Sequence, residues 1–122
     1  MAHILVIEDN AGCQALASRM LTLVAKHDVV TASSPAEAMA AFAKKCPDLV
    51  ITDIALKSDT SGLDLIQKFK KVTHPPKIIA VSAFTAQFCE KEARTAGADA
   101  FLSKPYDPMM LVETVATLLA EK

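Results

Sequence analysis

Four short apolar runs in this 122-residue sequence lead into polar side chains that could do chemistry. HILVI (His3–Ile7) is followed by Glu8 and Asp9, and LVIT (Leu49–Thr52) by Asp53. KIIAV (Lys77–Val81) is followed by Ser82, and AFLS (Ala100–Ser103) by Lys104. Gathered on one rim, these are three carboxylates, a hydroxyl and an ammonium. Two like charges about 4 Å apart repel by about 4 kcal/mol at an effective dielectric near 20. Lys104 offsets one negative charge, so the rim calls for a proton or a second cation. Its donors are all oxygen, with no sulfur and no imidazole, which suits a hard divalent ion. Mg²⁺ prefers a few carboxylates, several waters and a phosphate, all of which such a rim can offer.

The rest of the chain reads as the scaffold that brings these residues together. Ala11–Lys26 carries Leu16, Met20, Leu23 and Val24 at i, i+4, i+7 and i+8, which predicts a helix with that face inward. Asp28–Ala32 is a short second strand. Ser34-Pro35-Ala36-Glu37 opens a second helix, with Ser34 as cap, Pro35 in the first turn and Glu37 completing a capping box. That helix runs to about Lys45, and Pro47 closes it. Leu63–Val72 is a third helix, stopped before Pro75-Pro76. Thr85–Ala96 is a fourth, with Ala86, Cys89, Ala93 and Ala96 on one face and Gly97 as its stop. Asp107-Pro108 starts a last helix that turns Leu111, Val112, Val115, Leu118 and Leu119 inward. Strands this apolar are covered on both faces, so the βα alternation predicts an α/β fold with a five-stranded parallel sheet flanked by five helices. In such a sheet, ligands bind beyond the carboxyl ends of the strands. Five such units are expected to fill residues 1–122 as one domain, with no linker and no output domain expected within this chain.

Composition narrows the class. The chain is 52% hydrophobic and 22% charged, which is ordinary globular usage. Thirteen basic against fourteen acidic residues leave a net charge of −1, so nothing points to direct nucleic-acid or membrane binding. No apolar run approaches a membrane span, and MAHILVIEDN does not read as a secretory leader. Cys13, Cys46 and Cys89 are odd in number and widely spaced, which predicts reduced, mostly buried thiols in a cytoplasmic protein. His3, His27 and His74 are equally scattered, and a His/Cys zinc site is not expected. Lys68, Lys70 and Lys71 read as a solvated helix face.

The pieces ILVIED, LVITD, GLDLI, VSA and GADAFLSKP, in this order, resemble the receiver domain of two-component response regulators over the whole chain. The resemblance implies the flavodoxin-like receiver fold with strand order 2-1-3-4-5. It implies that Asp53 accepts a phosphoryl group as an aspartyl phosphate. It implies that Asp9 and Asp53, with the backbone carbonyl of Ala55, hold Mg²⁺ (or Mn²⁺), and that Glu8 acts on the metal mainly through water. Ser82 matches the hydroxyl that bonds the new phosphoryl oxygens. Lys104 matches the lysine that pairs with them, and Phe101 the aromatic that swings inward when Ser82 moves. The Lys104–Pro105 peptide bond is expected to be cis. The implied partners are a histidine kinase or a histidine phosphotransfer protein, with a downstream protein partner at the surface of the fourth and fifth helices and fifth strand. The chain is expected to be a phosphorelay phosphoprotein, a monomer or weak dimer, and no enzyme beyond self-phosphorylation and autodephosphorylation.

The sequence departs from the family pattern after Asp53, where it reads DIALKSDTSG. Lys57 stands where proline is common, and Gly62 follows one residue later than usual. Ala55 and Phe84 border the phosphoryl position: the first leaves room for an attacking water, and the second shields it. Phe101 lacks a tyrosine hydroxyl and can switch by burial only. The competing readings are plainer. Asp53, Ser82, Glu8 and Asp9 could be helix caps, and Phe101 could be fixed core. A phosphorylation-independent interaction module on the same fold is the main alternative. An aspartate phosphatase would want a DxD pair where Glu8-Asp9-Asn10 stands, and a flavin carrier would want a Ser/Thr/Gly loop there, which is missing, as are GxGxxG and GK[ST].

Overall fold

The computed structural model describes residues 2–54, 62–83, 87–104 and 106–121. Five strands form one parallel sheet: β1 (His3–Ile7), β2 (Asp28–Ala32), β3 (Leu49–Asp53), β4 (Lys77–Ala83) and β5 (Ala100–Lys104). Their order is β2-β1-β3-β4-β5. The helices are α1 (Ala11–Arg19), α2 (Pro35–Lys44), α3 (Gly62–Phe69), α4 (Gln87–Ala96) and α5 (Pro108–Ala120). α1 continues into a π-helical stretch, Met20–Val24, closed by the Ala25 N–H donating to the Met20 carbonyl at 3.2 Å.

Side chains alternate across each strand, so one apolar run supplies two cores. Leu5 and Ile7 of β1, Val50 of β3 and Ile78 and Ala80 of β4 pack beneath α2, α3 and α4 with Leu65, Ile66, Phe69 and Ala93. Ile4, Val6, Leu49, Ile51, Ile79, Val81 and Leu102 face the other way, against Ala17, Leu21, Leu111, Val115 and Leu118 of α1, its π-helical end and α5. Each fully buried Leu or Ile contributes roughly 1.5–3 kcal/mol relative to exposure. Phe42 and Phe69 stack between α2 and α3 with ring centroids 4.3 Å apart.

The first helix differs from its expected packing. Ala17 and Leu21 are the buried residues, whereas Leu16, Leu23 and Val24 are 47%, 66% and 51% exposed. Apolar residues lie almost all round this helix, so periodicity could not choose the inward face. Contact with β1 and α5 chose it. The second helix is capped as expected, with Ser34 Oγ accepting from the Glu37 N–H at 3.2 Å. Glu37 Oε1, however, accepts from the Ser33 N–H at 2.9 Å, one residue earlier than in a capping box. Lys70 is half-buried rather than fully solvated. Its Nζ lies 2.7 Å from Asp99 Oδ2 and donates to the Pro76 carbonyl at 2.9 Å, tying α3 to the entries of β4 and β5. Cys13 is half-buried and Cys46 exposed, so neither is a core thiol; both are free. Gly97 ends α4 at φ +127°, a conformation that side chains disfavour.

Candidate functional site

Strand parity places the polar residues. Thr52 pairs with Ile7 across β1 and β3, so Glu8 follows in line with Asp53, which pairs with Val81. Glu8, Asp53 and Lys104 share parity with Val6, Ile51 and Leu102, whose side chains face α1 and α5. All three therefore leave the sheet on the α1/α5 side of its carboxyl edge. Ser82 has the opposite parity, and so does Phe101, which packs half-buried with the α2–α4 core. Asp53, Ser82 and Lys104 are themselves strand residues, because β3, β4 and β5 run at least one residue past the ends expected from their apolar runs.

The centre of the rim is an ammonium between two carboxylates. Lys104 Nζ donates to Glu8 Oε1 at 2.5 Å and to Asp53 Oδ2 at 2.9 Å. Glu8 and Asp53 are each 7% exposed, and Ser82 is 3% exposed. Carboxylate oxygens of Glu8, Asp9 and Asp53 lie within 4.8 Å of one another. Burial pushes the Glu8 carboxyl above its ordinary range. The Lys104 hydrogen bond and the Asn10 N–H oppose that shift, and the Asp53 charge adds to it. Burial alone would lower the Lys104 ammonium, but its bonds to Glu8 and Asp53 outweigh this and hold it protonated. The two directions agree physically. Two carboxylate partners stabilise the charged ammonium of Lys104, while the hydrogen bond from Lys104 only partly offsets the cost of burying Glu8.

The surrounding backbone explains the placement. Asn10 caps α1 by accepting from the Cys13 N–H at 3.0 Å, and its own N–H donates to Glu8 Oε2 at 3.2 Å. Behind Asp53, Thr52 Oγ1 donates to the Asp53 carbonyl, and the Gly62 N–H donates to the Ile54 carbonyl at 2.9 Å. A Cβ on Gly62 would sit 2.2 Å from the Asp53 carbonyl oxygen. Glycine lets α3 begin directly against the strand that carries Asp53. Tyr106, half-buried, lines a small cavity with Glu8, Asp53 and Cys13, and burial raises its phenol pKa. Asn10 and Tyr106 were missed in the sequence. For Asn10 the signal was present, as a capping residue just before a helix. The Ala55 carbonyl, Lys57, Phe84 and the Lys104–Pro105 bond lie outside the described residues.

A doubly wound parallel sheet with an acidic cluster and a bridging lysine at its carboxyl edge is the arrangement of a class of α/β signalling domain. A family model, the response regulator receiver domain, matches residues 4–116. The chain is 30% identical over 113 residues to the chemotaxis protein CheY of Thermotoga maritima, covering 93% of each. It is 32% identical to the DNA-binding transcriptional regulator NtrC of Azospirillum brasilense, covering 97% of this chain but 24% of that one. Its fold superposes on the receiver domain of NtrX from Brucella abortus with a TM-score of 0.91 at 28% identity, covering 98% of this chain and 99% of the other. The chain belongs to the response regulator receiver family of two-component signalling. Among the described residues, no helix is long and apolar enough to cross a membrane.

Proposed function

We propose that this receiver domain is a Mg²⁺-dependent phosphoacceptor whose phosphorylated residue is Asp53. The observation that supports this best is the single Lys104 ammonium shared by buried Glu8 and Asp53, with Asp9 in the same cluster. Among the described residues, the three acids gather oxygen donors of the hard kind around Lys104, and a divalent ion held by Asp9, Asp53 and the Ala55 carbonyl, with Glu8 acting through water, matches that donor set. Such an ion supplies charge neutralisation for an incoming phosphoryl group.

The chain's own residues do the remainder. An Asp53 oxygen attacks phosphorus in line, and the P–N bond of a donor phosphohistidine breaks. The leaving imidazole departs with its electron pair and takes a proton. Lys104, already at hydrogen-bond distance from Asp53, turns to the developing negative charge on the phosphoryl oxygens. The resulting acyl phosphate adds roughly −1.5 to −2 charge and new acceptors. Ser82 bonds one of them. Phe101, which shares its face of the sheet, moves into the space Ser82 leaves, and the α4-β5-α5 surface changes for a downstream protein partner. The phosphodonor is a histidine kinase or a histidine phosphotransfer protein, and the setting is cytoplasmic.

Acetyl phosphate with MgCl₂ tests this by intact-protein mass spectrometry. One acid-labile phosphoryl adduct is expected. It should be lost in Asp53→Asn and on chelation of the metal, and beryllium fluoride should bind only when Mg²⁺ is present. An adduct that persists in Asp53→Asn would overturn the assignment of Asp53.

A further inference from the structure

Gln14 lies half-buried on α1, and its amide nitrogen reaches three acceptors: the Glu8 carbonyl at 3.0 Å, the Ala32 carbonyl at 3.2 Å and Ser33 Oγ at 3.3 Å. Two of these are carbonyls, which only accept, so the nitrogen end of the amide must face them. The Ala32 carbonyl also takes the Glu8 N–H at 3.0 Å. Glu8 is therefore held through both of its backbone polar groups, by Ala32 on one side and Gln14 on the other. The Glu8 carbonyl belongs to the peptide that leads into Asp9, so its direction sets where the Asp9 carboxylate departs from the chain. The clamp is fastened twice more. The Gln14 N–H donates to the Asn10 carbonyl at 2.9 Å, and the Ser33 N–H is held by Glu37 of α2.

We infer that Gln14 is a positioning residue: its side-chain amide orients the Glu8–Asp9 turn so that the acidic cluster can take a divalent cation. The inference rests on the Mg²⁺ reading given above and names a residue outside the acidic cluster that governs it. Gln14 touches neither the metal nor the phosphoryl group. It acts through the backbone of Glu8, much as hydrogen bonds behind metal ligands set affinity by 10–100-fold.

Isothermal titration of MgCl₂ into the full chain, at constant ionic strength and well above the carboxylate pKa range, tests this with two variants. Gln14→Met keeps the side-chain length and removes the donors. Gln14→Glu keeps the shape, replaces donors by acceptors that repel both carbonyls, and adds a negative charge. If Gln14 positions the turn, both variants bind Mg²⁺ at least about ten-fold more weakly than the wild type. Their metal-free melting temperatures should stay within a few degrees of it. A bystander at this position would leave Gln14→Met unchanged and tighten binding in Gln14→Glu through charge alone. Either of those results overturns the inference while the Mg²⁺ reading stands. A wild-type chain that takes up no Mg²⁺ overturns the Mg²⁺ reading itself, and this inference with it. Should Gln14→Met fail to fold, the opposite signs expected for Gln14→Glu still decide the matter.

Discussion

The Lys104 ammonium sits 2.9 Å from Asp53 Oδ2, although 51 residues separate the two in sequence. The same nitrogen reaches Glu8, 96 residues away, so one side chain of β5 closes the carboxyl edge over β3 and β1. Removing it leaves two carboxylates, each 7% exposed, without their shared cation.

Lys104→Met should therefore lower stability by roughly 2–3 kcal/mol, somewhat less than breaking a fully buried pair. The loss should be read by urea unfolding without metal. Adding MgCl₂ should recover a larger share of stability in Lys104→Met than it adds to the wild type, because the ion then replaces a missing charge. Equal Mg²⁺ increments in both proteins would count against that replacement.

Glu8 gives a pH signature. Its carboxyl titrates above the ordinary value of 4.5 because burial disfavours the charged form. A group raised in the folded state binds its proton more tightly there than in the unfolded chain. Its stabilising contribution is present in full below 4.5 and is lost as pH rises through the folded value. At neutral pH the buried Glu8 carboxyl therefore counts against folding. Glu8→Gln should raise the metal-free melting temperature at neutral pH, and the gain should shrink as the pH falls toward 4.5. Melting curves across that window check the sign, and a gain that grows on acidification would contradict it.

Gly62 sets the distance between α3 and the Asp53 strand. The methyl group of Gly62→Ala would meet the Asp53 carbonyl oxygen at 2.2 Å and the Ile54 Cα at 2.7 Å, both backbone atoms that cannot rotate away. The substitution should cost about 3 kcal/mol, the upper side of overpacking penalties. Chemical denaturation measures this directly. A variant as stable as the wild type would mean that α3 can start elsewhere.

Lys26 follows the π-helical stretch with φ at 62°, an exposed, non-glycine residue in the left-handed region. Lys26→Gly removes the Cβ clash and should stabilise the fold by about 0.5–1 kcal/mol, after the greater chain entropy of glycine is counted. Urea midpoints resolve a change of this size, and a destabilised variant would show that Lys26 makes a compensating contact.

The candidate rim was legible in the sequence because parallel strands buried on both faces read as unbroken apolar runs, and the polar residue after each run marks the carboxyl edge of the sheet. Order of elements, caps at Ser34 and Asp107 and the stop at Gly97 are local facts, encoded within a few residues. The inward face of α1 was not legible, since Leu16 and Leu23 are as apolar as Leu21 and only docking against β1 and α5 separates them. Lys70 looked like one of three solvated lysines until β5 brought Asp99 to it. Gln14 carried no signal at all, because its partners Glu8, Ala32 and Ser33 converge only once β1 and β2 pair. Periodicity and turn chemistry act over one or two helical turns, so sequence alone determined which elements form and which side chains end them. Which charges meet, which face of a helix is buried and which amide braces the acidic turn depend on contacts between distant segments, and only the folded sheet decides those.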